Sequence, residues 1–249
     1  ALIAHPDWCG EIDRDSLALF MRHSYVPSPF SIYQGIAKLS PAHYVAITDN
    51  GRTVGQPMCY WDISQVAERG IIYPNASEEL LIDKLDSLLR DAVKSRMTAD
   101  VPLGAFLSGG YDSSIVAALM QAQSSRPVKT FSIGFFEASF NEAQHAKAVA
   151  NHLGTEHTEF YVTPEEAMSI IPSLPHIYDE PFSDSSQIPT YLVSKLAREQ
   201  VTVSLSGDGG DELFCGYNRY VMGYQVWSKL RLLPNPIRQA LAGMLKITP

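Results

Sequence analysis

The sequence predicts an α/β fold in which a parallel sheet is covered by helices on both faces. Its second half alternates short apolar runs with stretches of helical periodicity, which is typical of βαβ units. Two glycine-rich loops, at residues 108–113 and 206–212, each follow an apolar run and precede a helical pattern. The composition, 45% hydrophobic and 18% charged, is that of a globular protein rather than a disordered one.

The first quarter of the chain is predicted to be small and rich in β structure. A helix is expected over residues 13–23, with Asp13 as its N-cap. A strand is expected over residues 43–48, and Asn50 and Gly51 predict a type I′ hairpin turn after it. The return strand is shorter, and the segment after it reads as a linker.

The rest of the chain follows helix and strand periodicities in alternation. Ser77 is expected to cap a long amphipathic helix, in which Leu81, Leu85 and Leu89 recur at helical spacing. The runs at 103–107, 128–135, 157–162 and 201–205 predict strands. Helices are predicted at 113–123, at 141–153, from near Pro164 and at 187–199.

The loop at residues 108–113, SGGYDS, has the composition of a phosphate-binding turn. Glycine lets the backbone approach an anion closely, and the following helix start presents free N–H groups and a positive dipole. Ser108 and Ser113 can add hydroxyl donors, and Asp112 can hold a cation on the phosphates. The loop therefore predicts nucleotide chemistry.

The loop at residues 206–212, SGDGGDE, repeats the order strand, glycine turn, helix. Because such loops lie at the carboxyl ends of parallel strands, we expect the two loops to face each other across a crevice. Carboxylates repel a polyphosphate unless a divalent cation lies between them, so Asp112 and Asp211 suggest a bridging Mg²⁺. Either loop alone could be an ordinary turn, but the pair favours nucleotide binding.

Charge, hydropathy and cysteine usage argue against several classes of partner and of protein. The net charge is −8 without a long basic run, which argues against nucleic acid or an anionic membrane as the main partner. No apolar stretch reaches the roughly 18 residues of a membrane-spanning helix. Three scattered cysteines do not make a disulfide framework, and reduced thiols favour a cytoplasmic location.

The glycine loops lie within a longer family resemblance. Residues 107–114 resemble the pyrophosphate loop of the N-type ATP pyrophosphatases. The longer resemblance is to the glutamine-dependent asparagine synthetase family, and it covers nearly the whole chain. It is carried by VPLGAFL at 101–107, KTFSIGF at 129–135, DEPF at 179–182 and LSGDGGDELF at 205–214.

This resemblance implies a doubly wound ATP-pyrophosphatase domain of the adenine nucleotide alpha hydrolase-like type. The implied enzyme is an AMP-forming ligase of amino-acid biosynthesis that uses ATP and Mg²⁺. The aspartate side-chain carboxylate would attack the α-phosphate of ATP and release pyrophosphate, and ammonia would then displace AMP from the acyl-adenylate. Mg²⁺ would be held by Asp112 and Asp211, and Asp208 would have a catalytic or acceptor-orienting role.

The remaining site residues are expected to contact the nucleotide. Ser108 and Ser113 would contact phosphates, whereas Leu107, Ile133 and Gly207 would border the adenosine. The full nucleotide-binding set is Leu107, Ser108, Gly109, Gly110, Asp112, Ser113, Ile133, Ser206 and Gly207.

The N-terminal segment resembles another part of the same family. Residues 25–41 resemble the tail of its glutaminase domain, which has an N-terminal nucleophile. We therefore expect residues 1–62 to be an incomplete glutaminase domain, 63–76 a linker, and 77–249 a synthetase domain truncated at its C-terminus. That glutaminase begins with a catalytic cysteine, whereas this sequence begins with alanine. The chain alone is therefore not expected to hydrolyse glutamine.

Several alternatives stay open at this point. Asp208 stands where many asparagine synthetases carry the longer Glu, so a related amidotransferase acting on a sugar acid or a ring-closing substrate is one alternative. A nucleotide-binding protein without turnover is another, whereas the acidic charge disfavours a tRNA-modifying pyrophosphatase. The expected partners are small molecules, namely ATP, the carboxylate and ammonia, and a homodimer is compatible with the sequence.

Four further positions carry reactive side chains near the motifs. His157 is expected to be packed or exposed rather than functional. Asp179 and Glu180 would either line the acceptor pocket or form a plain acidic loop. Arg219 would either steer phosphate or make a surface ion pair.

Overall fold

The computed structural model describes residues 5–69, 76–136 and 141–247 of the 249-residue chain. This part divides into two compact units, and neither unit is continuous along the sequence. The first unit is formed from residues 1–92, 135–140 and 160–196, and the second from residues 93–134, 141–159 and 197–249.

The N-terminal elements are short. They are helix α1 (Arg14–His23), strands β1 (His43–Tyr44), β2 (Ile47–Thr48), β3 (Thr53–Val54) and β4 (Met58–Cys59), and helix α2 (Ile63–Glu68). Asp13 begins α1 as predicted, because its side chain accepts hydrogen bonds from the backbone N–H groups of Asp15 and Ser16 at 2.9 and 3.0 Å.

The strand expected at residues 43–48 is divided in two, because its halves have different partners. Strand β1 pairs with β4, whereas β2 pairs with β3, both antiparallel. The predicted turn after β2 is confirmed: Asn50 and Gly51 have φ values of 52° and 89°. Positive φ at both central residues is what a type I′ turn requires.

The segment expected to be a linker contains helix α2. The Asp62 side chain begins this helix by accepting a hydrogen bond from the Ser64 N–H at 2.8 Å. The end of the expected linker, residues 70–75, lies outside the described residues. Helix α3 (Glu78–Met97) follows, and Ser77 Oγ accepts from the Leu80 N–H at 3.3 Å, as expected of a cap.

A parallel sheet of four strands carries the rest of the chain. Its elements are β5 (Leu103–Phe106), α4 (Tyr111–Gln123), β6 (Lys129–Phe135), α5 (Ala143–Leu153), β7 (Glu156–Val162), α6 (Pro164–Ile170), α7 (Leu174–Ile177), α8 (Gln187–Arg198), β8 (Val203–Leu205), α9 (Gly210–Phe214), α10 (Asn218–Leu230) and α11 (Asn235–Ile247). The strand order is β7-β6-β5-β8, and β5 pairs in parallel with both β6 and β8. The predicted α/β class and parallel sheet are confirmed.

The core beside strand β5 is built from one large and several small side chains. Leu107 directly follows β5 and is 1% exposed. It packs with Ala117 of α4 and with Ala146 and Ala150 of α5. Small residues on both helices let them approach closely, so Leu107 fills the space between them and ties the end of β5 to α4 and α5.

Two expectations about the chain as a whole concern membranes and disulfides. Among the described residues, no helix combines the length and the apolar character needed to cross a bilayer. Cys9, Cys59 and Cys215 are exposed free thiols, in agreement with the prediction that they do not form a disulfide framework.

We expect Leu107→Ala to lower the free energy of unfolding by about 2–5 kcal/mol, because it leaves a cavity that rigid neighbours cannot fill. Leu232→Ala is the matched control, since Leu232 is 80% exposed; we expect it to change stability by less than about 0.5 kcal/mol. Urea denaturation measures both values. Equal effects of the two substitutions would contradict the packing described for Leu107.

Candidate functional site

The strand order brings the two glycine-rich loops together. The chain passes from β5 to β6 on one side of the sheet, whereas β8 pairs with β5 on its other side. The order of strands therefore reverses between β5 and β8, and both strands run in the same direction. In open parallel sheets, such a reversal opens a crevice at the carboxyl ends of the two strands. The loops that follow β5 and β8 both begin at this point.

The first loop is closed onto its helix by two serines. The Ser108 N–H donates to Ser113 Oγ at 3.2 Å, and the two hydroxyl oxygens are 2.9 Å apart. Gly109 between them has a φ of +83°, and a Cβ there would lie 2.7 Å from the Ala146 backbone nitrogen. Glycine is therefore required at this position for both conformation and space.

The start of α4 has the features of an anion site. Its N-cap is Gly110, and within the described chain no side chain caps this helix end. The first-turn N–H groups therefore lack the side-chain acceptor that usually satisfies them, and the helix dipole adds positive potential at this point. A helix of 13 residues with such an end can bind an anionic group by its backbone.

The second loop lies directly against the first turn of α4. A Cβ at Gly207 would lie 2.6 Å from the Ser113 nitrogen and 2.8 Å from the Asp112 carbonyl carbon. A Cβ at Gly210 would overlap the Asp112 carboxyl group. Gly207 is not among the glycines with positive φ, so space rather than backbone conformation excludes a side chain there. The structure thus brings the two predicted loops into contact.

The acidic side chains of the second loop have different surroundings. The Ser206 hydroxyl donates to Asp208 Oδ2 at 3.1 Å, and this aspartate is exposed. Asp211 is half-buried, and its carboxylate lies against Gly216. The Asp112 carboxyl group lies against Gly210, the neighbour of Asp211 along the chain. The acids on the two loops therefore lie on adjacent pieces of backbone.

The three residues expected to border an adenosine differ in how far they are exposed to a ligand. The Leu107 side chain belongs to the core, so only its backbone could face a ligand. Ile133 of β6 is half-buried, and Gly207 is partly accessible in the second loop.

The donor types on these loops are compatible with Mg²⁺. Within the described ranges, no group of three or more His, Cys, Asp or Glu side chains is arranged to hold a metal by itself. Mg²⁺ is usually bound by one or two carboxylates together with substrate phosphates and water. Asp112 and Asp211 carry carboxylates of this kind, one on each of the two loops that meet at the start of α4.

His157 is packed into the sheet, which is one of the two outcomes expected for it. Its Nδ1 lies 2.9 Å from Thr130 Oγ1, and its Nε2 lies 3.2 Å from Ser132 Oγ. Burial lowers the pKa of the imidazole and outweighs the attraction of Glu159, while Lys147 lowers it further. The neutral ring therefore links β6 to β7, and its hydrogen-bond partners belong to the sheet and not to the glycine loops.

Tyr217 and Arg219 form a small cluster beyond the second loop. The Tyr217 hydroxyl donates to Glu212 Oε1 at 2.7 Å, and this hydrogen bond raises the pKa of Tyr217 to about 12. The Arg219 guanidinium lies over the Tyr217 ring, 4.7 Å from its centroid. This stacking could not be predicted from the sequence, because it depends on the turn between α9 and α10.

Comparison with known proteins identifies the families that the two parts of the chain resemble. Residues 84–247 match the family model described as asparagine synthase, and residues 1–61 match that of the glutamine amidotransferase domain. The chain is 40% identical over 228 residues to a putative asparagine synthetase [glutamine-hydrolyzing] 2 of Methanocaldococcus jannaschii, covering 91% of this chain and 42% of that protein. It is 36% identical over 211 residues to asparagine synthetase [glutamine-hydrolyzing] 1 of Bacillus subtilis, covering 84% of this chain and 32% of that protein.

Among solved structures, an NH3-dependent NAD synthetase from Campylobacter jejuni is similar with a TM-score of 0.37 and 16% identity. This match covers 57% of the chain and 62% of that structure. The chain spans about two fifths or less of the length of the two curated relatives named above.

We expect Gly207→Ala to destabilise the protein by about 1–3 kcal/mol, because the added Cβ meets the backbone of α4. Gly223→Ala is the control, since apart from the backbone of its own helix no described atom lies within 4 Å of a Cβ placed there. That substitution in the interior of α10 should stabilise the helix by up to about 1 kcal/mol. Urea denaturation distinguishes the two, and an unchanged midpoint for Gly207→Ala would contradict the close contact of the loops.

His157 predicts a pH dependence of stability. Its pKa in the folded chain lies below the ordinary value of 6.5, so the unfolded chain binds the proton more readily. The stabilising contribution is therefore present above about pH 6.5 and is lost as the pH falls toward the lower folded pKa. We expect His157→Gln to flatten this acid loss in unfolding curves between about pH 7.5 and 5. The same substitution at the exposed His152 should leave the wild-type pH profile in place.

Proposed function

The chain belongs to the asparagine synthase family, and from this premise we propose that it forms the ATP-using part of an AMP-forming amidotransferase. Its substrate would be a carboxylate, that of the aspartate side chain, and its nitrogen donor would be ammonia. The observation that carries the proposal is the contact between the two glycine loops, where Gly207 and Gly210 lie against Asp112 and Ser113.

The first loop would bind the phosphates of ATP. Its support is that no side chain caps the start of α4 within the described chain and that Ser108 and Ser113 close the turn. Backbone N–H groups and hydroxyls at this point would stabilise the negative charge that develops on the leaving pyrophosphate. Gly109 and Gly110 let the phosphates approach the backbone, and Ser206, Ile133, Gly207 and the backbone of Leu107 would surround the nucleoside.

The proposed chemistry has two steps. In the first, a carboxylate oxygen forms a bond to the α-phosphorus while the bond from that phosphorus to pyrophosphate breaks. In the second, ammonia forms a bond to the acyl carbon, AMP leaves with the bonding electron pair, and the nitrogen loses a proton. Asp208, exposed and hydrogen-bonded to Ser206, would orient the acceptor or accept this proton.

Magnesium would be held by Asp112 and Asp211 together with phosphate oxygens. When bound, it supplies the positive charge that allows acidic side chains and a polyphosphate to lie side by side. We further propose that residues 1–62 are the end of a glutaminase domain that delivers ammonia and that residues 77–249 are the synthetase domain. A cytoplasmic location would supply both ATP and the small-molecule substrates.

Asp208 supports a second candidate of the same class. Its side chain is one methylene shorter than the Glu found in many asparagine synthetases, so the acceptor pocket could suit a different carboxylate. Pyrophosphate release distinguishes the candidates when the full-length protein is given Mg²⁺-ATP and a panel of acceptors. Release that depends on aspartate supports asparagine formation, and release with a sugar acid or a ring-closing substrate supports the second candidate.

The nucleotide site itself is tested by Asp112→Asn. We expect pyrophosphate release to fall by about 10²-fold or more, because the substitution removes the charge that holds the cation on the phosphates. Asp100→Asn is the matched control, since Asp100 is exposed before β5. Equal rates of pyrophosphate release for the two variants would contradict the role given to Asp112. If the wild-type protein binds ATP but releases no pyrophosphate with any acceptor, a protein without turnover is favoured.

A further inference from the structure

Glu180 collects hydrogen bonds from a segment far from it in sequence. The Ile32 N–H donates to Glu180 Oε1 at 2.9 Å, across 148 positions of the chain. The Lys38 ammonium group pairs with Oε2, and the Ser31 side chain adds a further hydrogen bond. The two carboxylate oxygens therefore both hold donors from residues 31–38, and the Glu180 side chain is only 18% exposed.

One further hydrogen bond joins the same two segments, and another closes the N-terminal segment on itself. Lys38 Nζ also donates to the Val26 carbonyl oxygen at 2.6 Å, so one ammonium group binds both Glu180 and the start of its own segment. The Ser183 N–H donates to the Ser24 carbonyl oxygen at 2.7 Å. Val26 and Ile32 are buried. The segment from 24 to 38 is thus fixed by both backbone and side chains.

Burial of the Glu180 carboxyl group works against its ionisation. The hydrogen bonds from Lys38, Ile32 and Ser31 outweigh that cost, and the pKa lies below its ordinary value. The charged carboxylate is therefore the form that the folded protein holds at neutral pH. Replacing it by an apolar residue would leave the Ile32 N–H without its acceptor and the Lys38 ammonium with only the Val26 carbonyl, and an unsatisfied buried donor costs more than the bond contributes net.

The cluster of Ser31, Ile32, Lys38 and Glu180 joins the two parts of the chain that match different families. Ser31, Ile32 and Lys38 lie in the range that matches the glutamine amidotransferase domain, whereas Glu180 lies in the range that matches asparagine synthase. All four residues belong to the same compact unit. We propose that Glu180 is a positioning residue that fixes the amidotransferase-type segment to the synthetase-type segment, so that ammonia made by one part reaches the acyl-adenylate of the other.

This inference rests on the proposed function for its consequence in catalysis but not for its physical basis. It also separates Glu180 from the acceptor pocket, one of the two roles that the sequence left open. Three of the roughly four lone-pair sites of this carboxylate already accept from Ile32, Lys38 and Ser31, which leaves little capacity for a substrate amine.

Hydrogen exchange in the full-length protein tests the physical basis. We expect Glu180→Ala to reduce the protection of the Ile32 amide by roughly tenfold to hundredfold, because this N–H loses a charged acceptor. Glu165→Gln, at an exposed position in the same unit, should leave that protection unchanged. Unchanged protection in Glu180→Ala would overturn the proposal whatever the enzyme does.

The split between nitrogen sources tests the role in coupling. For Glu180→Gln and Lys38→Met, we expect glutamine-dependent product formation to fall by about tenfold, whereas formation from saturating ammonia changes by less than about twofold. Lys38→Arg, which keeps the charge, should restore glutamine-dependent formation, and the double variant should be no worse than either single one. Equal loss with both nitrogen sources would overturn the coupling role and return Glu180 to the acceptor pocket. Absence of product from wild-type protein would contradict the proposed function instead, and the exchange result would still decide whether Glu180 fixes the segment.

Discussion

The candidate site depends on the contact between the second glycine loop and the first turn of α4. Backbone atoms of the two loops approach so closely that a single Cβ at Gly207 would lie 2.6 Å from the Ser113 nitrogen. Such an approach is possible only because β5 and β8 are neighbours in the sheet, which follows from the reversal of strand order between them. The strand order and the absence of a Cβ at Gly207 and Gly210 are therefore both needed to bring the loops into contact.

The electrostatics of the site follow from that contact. The start of α4 offers backbone N–H groups and a positive dipole, which favour an anion. The same turn carries Asp112, and the opposing loop carries Asp208 and Asp211, which disfavour one. A polyphosphate can lie between these groups only with a divalent cation that both the carboxylates and the phosphate oxygens bind. The proposed nucleotide and the proposed Mg²⁺ therefore depend on each other, since the helix start favours the phosphates and the acids favour the cation.

Most of the fold could be predicted from local patterns in the sequence. The cap at Asp13, the turn at Asn50 and the four main strands depend on residues near each other along the chain. The division of the strand at 43–48 could not be predicted, because it depends on which later strand each half meets. The packing of Leu107 and His157 likewise depends on partners from other elements, so their sequence neighbourhood gave only general expectations.

The acidic residues show most clearly what sequence leaves open. Glu180, Asp208 and Asp211 all lie in motifs of one family, and by residue type each is a candidate for binding a substrate. The structure separates them by their partners: Glu180 has donors from a distant segment on both oxygens, whereas Asp208 is held by a nearby hydroxyl. Exchanging a hydroxyl for a ligand costs little, but removing an ammonium group and a buried N–H from their acceptor costs much more. These partners favour a catalytic role for the glycine loops. For Glu180 they favour the proposed role of fixing the amidotransferase-type segment to the synthetase-type segment.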